Sequence, residues 1–179
     1  MDRRTAIKSL AITVWGMMVL PGCGPEEDQE VGHLYKNLAL DNSQKQTLKS
    51  LVDTLLPETD TKGGLELGVD RFLDKLLANC YDVETQESFI KGLDSLEHSA
   101  KSSFELSFFE ADRNSREKVL LKMNDEEKIE EKAFFDLSKE LAVLAYTSSE
   151  YFLTNFTNYE MIPGGYDGCV PVPEEPFKI

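Results

Sequence analysis

The chain of 179 residues is long enough for one ordinary domain plus a leader or a tail, and too short for a second full domain. Its 41% apolar and 29% charged residues allow a packed core, while 19 basic against 33 acidic side chains give a formal charge of −14 that repels phosphate backbones and disfavours nucleic-acid binding. Two histidines and three cysteines, in no zinc or haem-attachment spacing, leave cofactor chemistry on this chain unexpected.

The first 22 residues read as an address. Asp2-Arg3-Arg4-Thr5-Ala6-Ile7-Lys8 is a charged stretch followed by the apolar run 10–20 (LAITVWGMMVL). Eleven helical residues cover roughly 16 Å, about half of a ~30 Å hydrocarbon slab, so a secretory signal is expected rather than a spanning helix. Arg3 and Arg4, with Lys8 following, are similar to a twin-arginine signal that exports folded cargo. Asp2 and Ala6 depart from that pattern, and ordinary unfolded secretion stays open. Leu20-Pro21-Gly22-Cys23 resembles a bacterial lipobox, in which Cys23 would carry diacylglycerol after cleavage; a fortuitous cysteine beside a conventional cleavage site is the alternative. Removing residues 1–22 takes away three basic and one acidic side chain, so the exported part carries about −16. The expected location is the cell envelope of a bacterium, on the periplasmic side and lipid-anchored.

Residues 23–41 are polar and acidic and read as a tether, in which Glu26-Glu27-Asp28 is either a sorting cue or plain solvated linker. Residues 42–148 then read as about five helices. Ser43 is the expected cap of a segment whose Leu48, Leu51, Val52, Leu55 and Leu56 share one face up to Pro57. After a turn-rich break at 58–64, Val69, Phe72, Leu73, Leu76, Leu77 and Cys80 restart the period. Phe89, Ile90, Leu93 and Leu96 mark a third helix, in which Gly92 costs about 1 kcal/mol relative to Ala. Residues 116–123 form a short fourth, and Asp125 opens a fifth through Phe134, Leu137, Leu141, Leu144 and Ala145. No period-two strand occurs, so the expected fold is a small all-α domain.

From 149 to 179 aromatics mix with Asn, Thr, Gly and Pro, and four prolines in the last 17 residues argue for an extended strap. The strap's aromatics serve either packing on this chain or a partner. Tyr159, Tyr166 and Phe177 are the candidate partner anchors, since large aromatics give much contact area for little rotamer entropy. Phe134, spaced with Leu137 and Leu141, reads as core. No nucleophile elbow, HExxH or Walker pattern occurs, and the glycines of Pro163-Gly164-Gly165-Tyr166-Asp167-Gly168 make a turn rather than a phosphate loop. His98 beside Glu97 reads as a solvated histidine at a polar helix end, His33 falls in the tether, and Glu126, Glu127, Glu130 and Glu131 read as a solvated face. Cys80 and Cys169 are the two thiols left beside a lipidated Cys23; they either bridge a loop of about 90 residues or Cys80 is a buried small hydrophobe.

Leu51-Val52-Asp53-Thr54-Leu55-Leu56-Pro57 with Asp60, Gly68-Val69-Asp70-Arg71-Phe72-Leu73, Phe134-Phe135-Asp136-Leu137, and Tyr146-Thr147-Ser148-Ser149 leading to Tyr159, Pro163-Gly164 and Tyr166 resemble, in that order, the gluconate 2-dehydrogenase subunit 3 family over roughly residues 42–172. The resemblance implies a small exported accessory subunit without a catalytic site of its own. Its partner would be a larger flavin-dependent dehydrogenase of the glucose-methanol-choline type, with a cytochrome c subunit taking the electrons; FAD and haem c would sit on those partners. The small subunit would escort the folded flavoprotein through the twin-arginine pore and stay bound, and the lipobox would add a membrane anchor. Asp53, Asp60 and Arg71 are motif positions that helix-end and surface pairing explain equally well. A stand-alone envelope lipoprotein with a binding or structural role is the alternative.

Overall fold

A computed structural model describes residues 36–157, 159–162, 164–165 and 168–169. Arg3, Arg4, Lys8, Cys23, Tyr166 and Phe177 lie outside the described residues, as do most of the tether and the end of the strap. Among the described residues there are six helices and no strand: α1 Asn42–Leu55, α2 Val69–Cys80, α3 Val83–Phe104, α4 Arg113–Met123, α5 Ile129–Thr147 and α6 Glu150–Phe156. None of them is long and apolar enough to cross a membrane.

Local chemistry explains where the helices begin. Asp41, not Ser43, caps α1: its carboxylate accepts from Gln44 N–H at 2.7 Å while Asp41 N–H donates to Gln44 Oε1 at 3.0 Å, a reciprocal pair that satisfies two orphan donors. Asp82 and Asp112 cap α3 and α4 by accepting from the N–H groups of Thr85 and Ser115, so α4 starts three residues ahead of the expected Arg116. Asp125 does not open α5 but closes a turn, its backbone carbonyl accepting from Lys128 N–H at 3.0 Å before the helix starts at Ile129. Gly68 precedes α2 with φ +70°, a backbone setting open to glycine and strained for other residues.

The 22-residue α3 is the central element, packed against α1, α2, α4 and α5. Its Phe89, Leu93, Leu96 and Ala100 meet Leu51 and Val52 of α1, Leu73 and Leu77 of α2, Val119 and Met123 of α4, and Phe134 and Leu141 of α5 in a single core cluster. Each such leucine taken from water contributes roughly 1.5–3 kcal/mol, the main favourable term holding the bundle. The close approach of α3 and α5 depends on Gly92, because a Cβ there would stand 2.1 Å from Cδ2 of Phe134. That ring also packs on Phe89, with centroids 5.1 Å apart. Gly92 therefore offsets its low helix propensity by letting an aromatic ring lie on the helix backbone.

Two segments expected to be loose belong to the folded body. Residues 36–41 fall at the end of the expected tether, yet Leu38 and Leu40 are buried and α2 grips the backbone beside them. Asn79 accepts from Lys36 N–H at 3.1 Å and donates to Lys36 O at 2.7 Å, and Asp74 accepts from Leu38 N–H at 2.8 Å. Burial pushes the Asp74 carboxyl above its ordinary range despite that N–H. The second segment is the start of the expected strap, where 150–156 is helical. Ser149 caps α6, accepting from Phe152 N–H at 3.2 Å.

Glu97 is the polar centre of the bundle. It falls on the apolar stripe of α3 with Leu93, Leu96 and Ala100, is itself buried, and accepts from Phe108 N–H at 2.9 Å, with the Thr47 hydroxyl at 3.4 Å. Lys101 Nζ stands 3.1 Å from its other oxygen. Burial pushes the carboxyl up, but the Phe108 N–H, the Ser107 side chain and Lys101 outweigh it and hold Glu97 below its ordinary value. This carboxylate pins the loop between α3 and α4, with Phe108 wholly buried, and so is a structural group rather than part of a polar helix end.

Candidate docking surface

At the junction of α5 and α6, hydroxyls turn the chain. Thr147 Oγ1 donates to Val143 O at 2.8 Å, Ser148 Oγ to Leu144 O at 2.7 Å and Ser149 Oγ to Tyr146 O at 2.6 Å. These bonds occupy the last carbonyls of α5 and let α6 leave in a new direction. The turn gathers aromatics into a shelf. Tyr146 meets Phe152 edge-on at 5.9 Å, Phe152 stacks on Phe156 at 5.4 Å, and Tyr151 meets Phe156 edge-on at 5.8 Å. Lys62 Nζ, paired with Glu66 at 2.6 Å and raised in pKa by that hydrogen bond, sits 5.6 Å from the Tyr151 ring centre.

No residue of α6 is fully buried, and the apolar surface continues past it. Phe156 is 37% exposed, Tyr159 50%, Met161 82% and Ile162 85%, a run of uncovered apolar side chains of the kind that marks interaction sites. Of the three anchors expected from sequence, Tyr159 is thus described and exposed, while Tyr166 and Phe177 lie outside the described residues. Tyr146, Tyr151, Phe152 and Phe156 form the aromatic shelf that precedes Tyr159 in the chain. Their spacing of 5, 1 and 4 residues on either side of a Thr-Ser-Ser corner was the available signal.

The remaining motif residues have structural posts. Arg116, mostly buried, reaches Asp53 Oδ2 at 3.0 Å and donates through Nε to Ala111 O at 2.8 Å, tying α4 to α1. Asp136 pairs with Lys132 at 3.2 Å along α5, Asp60 is exposed in the loop after α1, and the Arg71 guanidinium lies over Gly68. Cys80 is exposed, against the expectation of a buried small hydrophobe, and Cys169 is exposed too. Leu77, rather than Cys80, is the last core residue of α2.

A concavity of about 800 Å³ runs between α3 and the start of α5. Phe89, Gly92, Phe134 and Leu137 form its floor, and Glu84, Glu127, Glu130 and Glu131 stand around it with Lys91 and Lys128. Glu127, Glu130 and Glu131, taken from sequence as a plain solvated face, therefore rim a groove. No cluster of three or more His, Cys, Asp or Glu side chains suited to a metal ion occurs among the described residues.

Among the described residues the domain is all-α, and its two most exposed large apolar side chains, Met161 and Ile162, lie towards its C-terminal end. Residues 42–164 match the family described as Gluconate 2-dehydrogenase subunit 3, and the chain belongs to that family. The match begins on the first residue of α1 and runs past the aromatic shelf, so it takes in the whole helical body. The chain is accordingly an accessory protein of the gluconate 2-dehydrogenase subunit 3 type. No curated protein and no solved structure matches it.

Proposed function

We propose that this chain is the noncatalytic small subunit, and the export escort, of a periplasmic FAD-dependent sugar or polyol dehydrogenase, anchored by lipid on Cys23. The observation that carries the reading is the family match across the whole helical body. FAD and haem c reside on partner subunits: a flavoprotein of the glucose-methanol-choline type and a cytochrome c that accepts its electrons. The aromatic shelf with Tyr159, Met161 and Ile162 is the docking face for the flavoprotein, and Tyr166 and Phe177 are further candidate anchors for it. Arg3, Arg4 and Lys8 support folded export, which a flavoprotein loaded with its cofactor in the cytoplasm requires and a small helical protein does not. Cys80 and Cys169, both exposed, are the candidate pair for a bridge in the oxidising periplasm.

Changing Arg3 and Arg4 together to Lys keeps charge and hydrophobicity but removes the recognised pair. The protein and a flavin-containing dehydrogenase activity, assayed with an artificial electron acceptor, should then stay together in the cytoplasm. Cys23→Ala should block lipid attachment without blocking export. If the dehydrogenase reaches the periplasm when this chain does not, the escort role is wrong and a stand-alone envelope lipoprotein is the better account.

A further inference from the structure

The exposed face from α6 to Ile162 carries charge as well as apolar side chains, and the charge is of one sign. Lys62 Nζ, 5.6 Å from the Tyr151 ring centre, brings the loop of residues 58–66 against α6. That loop and the stretch 150–162 together hold five exposed carboxylates, those of Glu58, Asp60, Glu66, Glu150 and Glu160, against the single ammonium of Lys62. The ammonium is itself held by Glu66 at 2.6 Å. From Glu140 to Ile162 the sequence has no lysine or arginine. Glu160 stands between the exposed Tyr159 and Met161, and Leu65 is exposed on the loop, so apolar and acidic groups share the same segments.

Covering the apolar groups expels water from the carboxylates among them, which is costly unless a cation meets each one. A partner with basic groups in matching places gains from the pairing and is steered towards the face, whereas an acidic one is repelled. A second copy of this chain would set acid against acid, and an anionic lipid surface is disfavoured for the same reason. Resting on the docking role given to this face above, we propose that the flavoprotein meets it with an apolar patch flanked by basic side chains, so that charge complementarity selects the partner and speeds its docking.

The test holds the tagged mature chain on a sensor surface and passes over it the flavin-containing dehydrogenase from cells that lack this chain. Raising sodium chloride from about 0.05 M to about 0.5 M should weaken binding at least about tenfold, chiefly by slowing association. Docking through apolar area alone would be unchanged or tightened by salt. Asp60→Lys with Glu160→Lys, at two exposed positions of the face, should weaken binding about tenfold or more at the lower salt. The control pair Glu126→Lys with Glu130→Lys changes net charge equally but lies at the far end of the 19-residue α5, roughly 25 Å from α6 and beyond the screening length, and should change affinity by less than about twofold. Circular dichroism checks that each variant folds; if the Asp60 and Glu160 pair does not, the salt series decides. Binding indifferent to salt, or an Asp60 and Glu160 pair that folds and binds at least as tightly as the control pair, would overturn this inference and leave the docking reading standing. If no flavin and no dehydrogenase activity are captured at any salt, the docking reading itself fails, and this inference with it.

Discussion

Gly92→Ala separates helix propensity from packing at one position. In an exposed helix interior the change stabilises by about 1 kcal/mol. Here the new Cβ would stand 2.1 Å from Cδ2 and 2.3 Å from Cγ of Phe134, where ordinary van der Waals contact begins near 3.4 Å. The ring must retreat by more than an ångström, yet it is 4% exposed and backed by Phe89. Overpacking of this kind costs about 1–3 kcal/mol and more when backbone must shift, so the net effect is a loss of about 1–2 kcal/mol. Thermal unfolding followed by circular dichroism should show a midpoint lowered by roughly 3–10 °C. Phe134→Leu, destabilising alone, should cost less in the Gly92→Ala background, because the smaller side chain gives the methyl room. A Gly92→Ala protein more stable than wild type, or strict additivity with Phe134→Leu, would refute the packing argument.

Glu97→Ala should lower stability by about 1–3 kcal/mol by leaving the buried Phe108 N–H without an acceptor, read as a shift in the urea midpoint. The Glu97 carboxyl titrates below its ordinary value when folded, so its stabilisation is complete above the unfolded pKa of about 4.3 and is lost as pH falls through the lower folded value; Glu97→Gln should flatten that acid limb. Asp74 is raised instead, so ionising it opposes folding, and Asp74→Asn, which keeps an acceptor for Leu38 N–H, should leave the midpoint at pH 7 unchanged or higher. Asn79→Ala should speed amide exchange at residues 36–38 while leaving exchange in α3 unchanged. Thiol counting on unfolded, unreduced mature protein should find Cys80 and Cys169 paired; two free thiols would end the bridge. Truncation after Thr157, which keeps α6 and its aromatic pairs, should leave a folded body that no longer holds the flavoprotein.

The helical character of the body was legible because apolar spacing and burial coincide along α1, α2 and α3: Leu48, Leu51 and Val52, then Val69, Leu73 and Leu77, then Phe89, Leu93 and Leu96 are all buried. The same spacing over-reached at the ends of stripes, where Phe72, Cys80 and Leu144 face outward. Periodicity reports a face but not how far a neighbouring helix covers it. Starts were missed where an aspartate outside the apolar pattern, Asp41 or Asp112, holds the first N–H groups. Residues 150–156 were hidden because their Thr and Asn side chains suggest a loop, although both bond back to earlier carbonyls of the same helix. Glu97 reads from sequence as part of a polar helix end and is buried instead; its partner Phe108 lies across a loop that spacing does not place. The close approach of α3 and α5 was not legible at all, since it depends on Gly92 of α3 meeting Phe134 of α5.

The most direct test of the accessory role is recovery of the partner. The tagged mature chain, isolated from envelope membranes of the producing cell in mild detergent, should bring with it a flavin absorbance band and dye-linked sugar or polyol dehydrogenase activity, both lost on truncation after Thr157. A chain that purifies alone, folded and free of flavin, while the dehydrogenase sits fully assembled in the same membranes without it, would contradict the account.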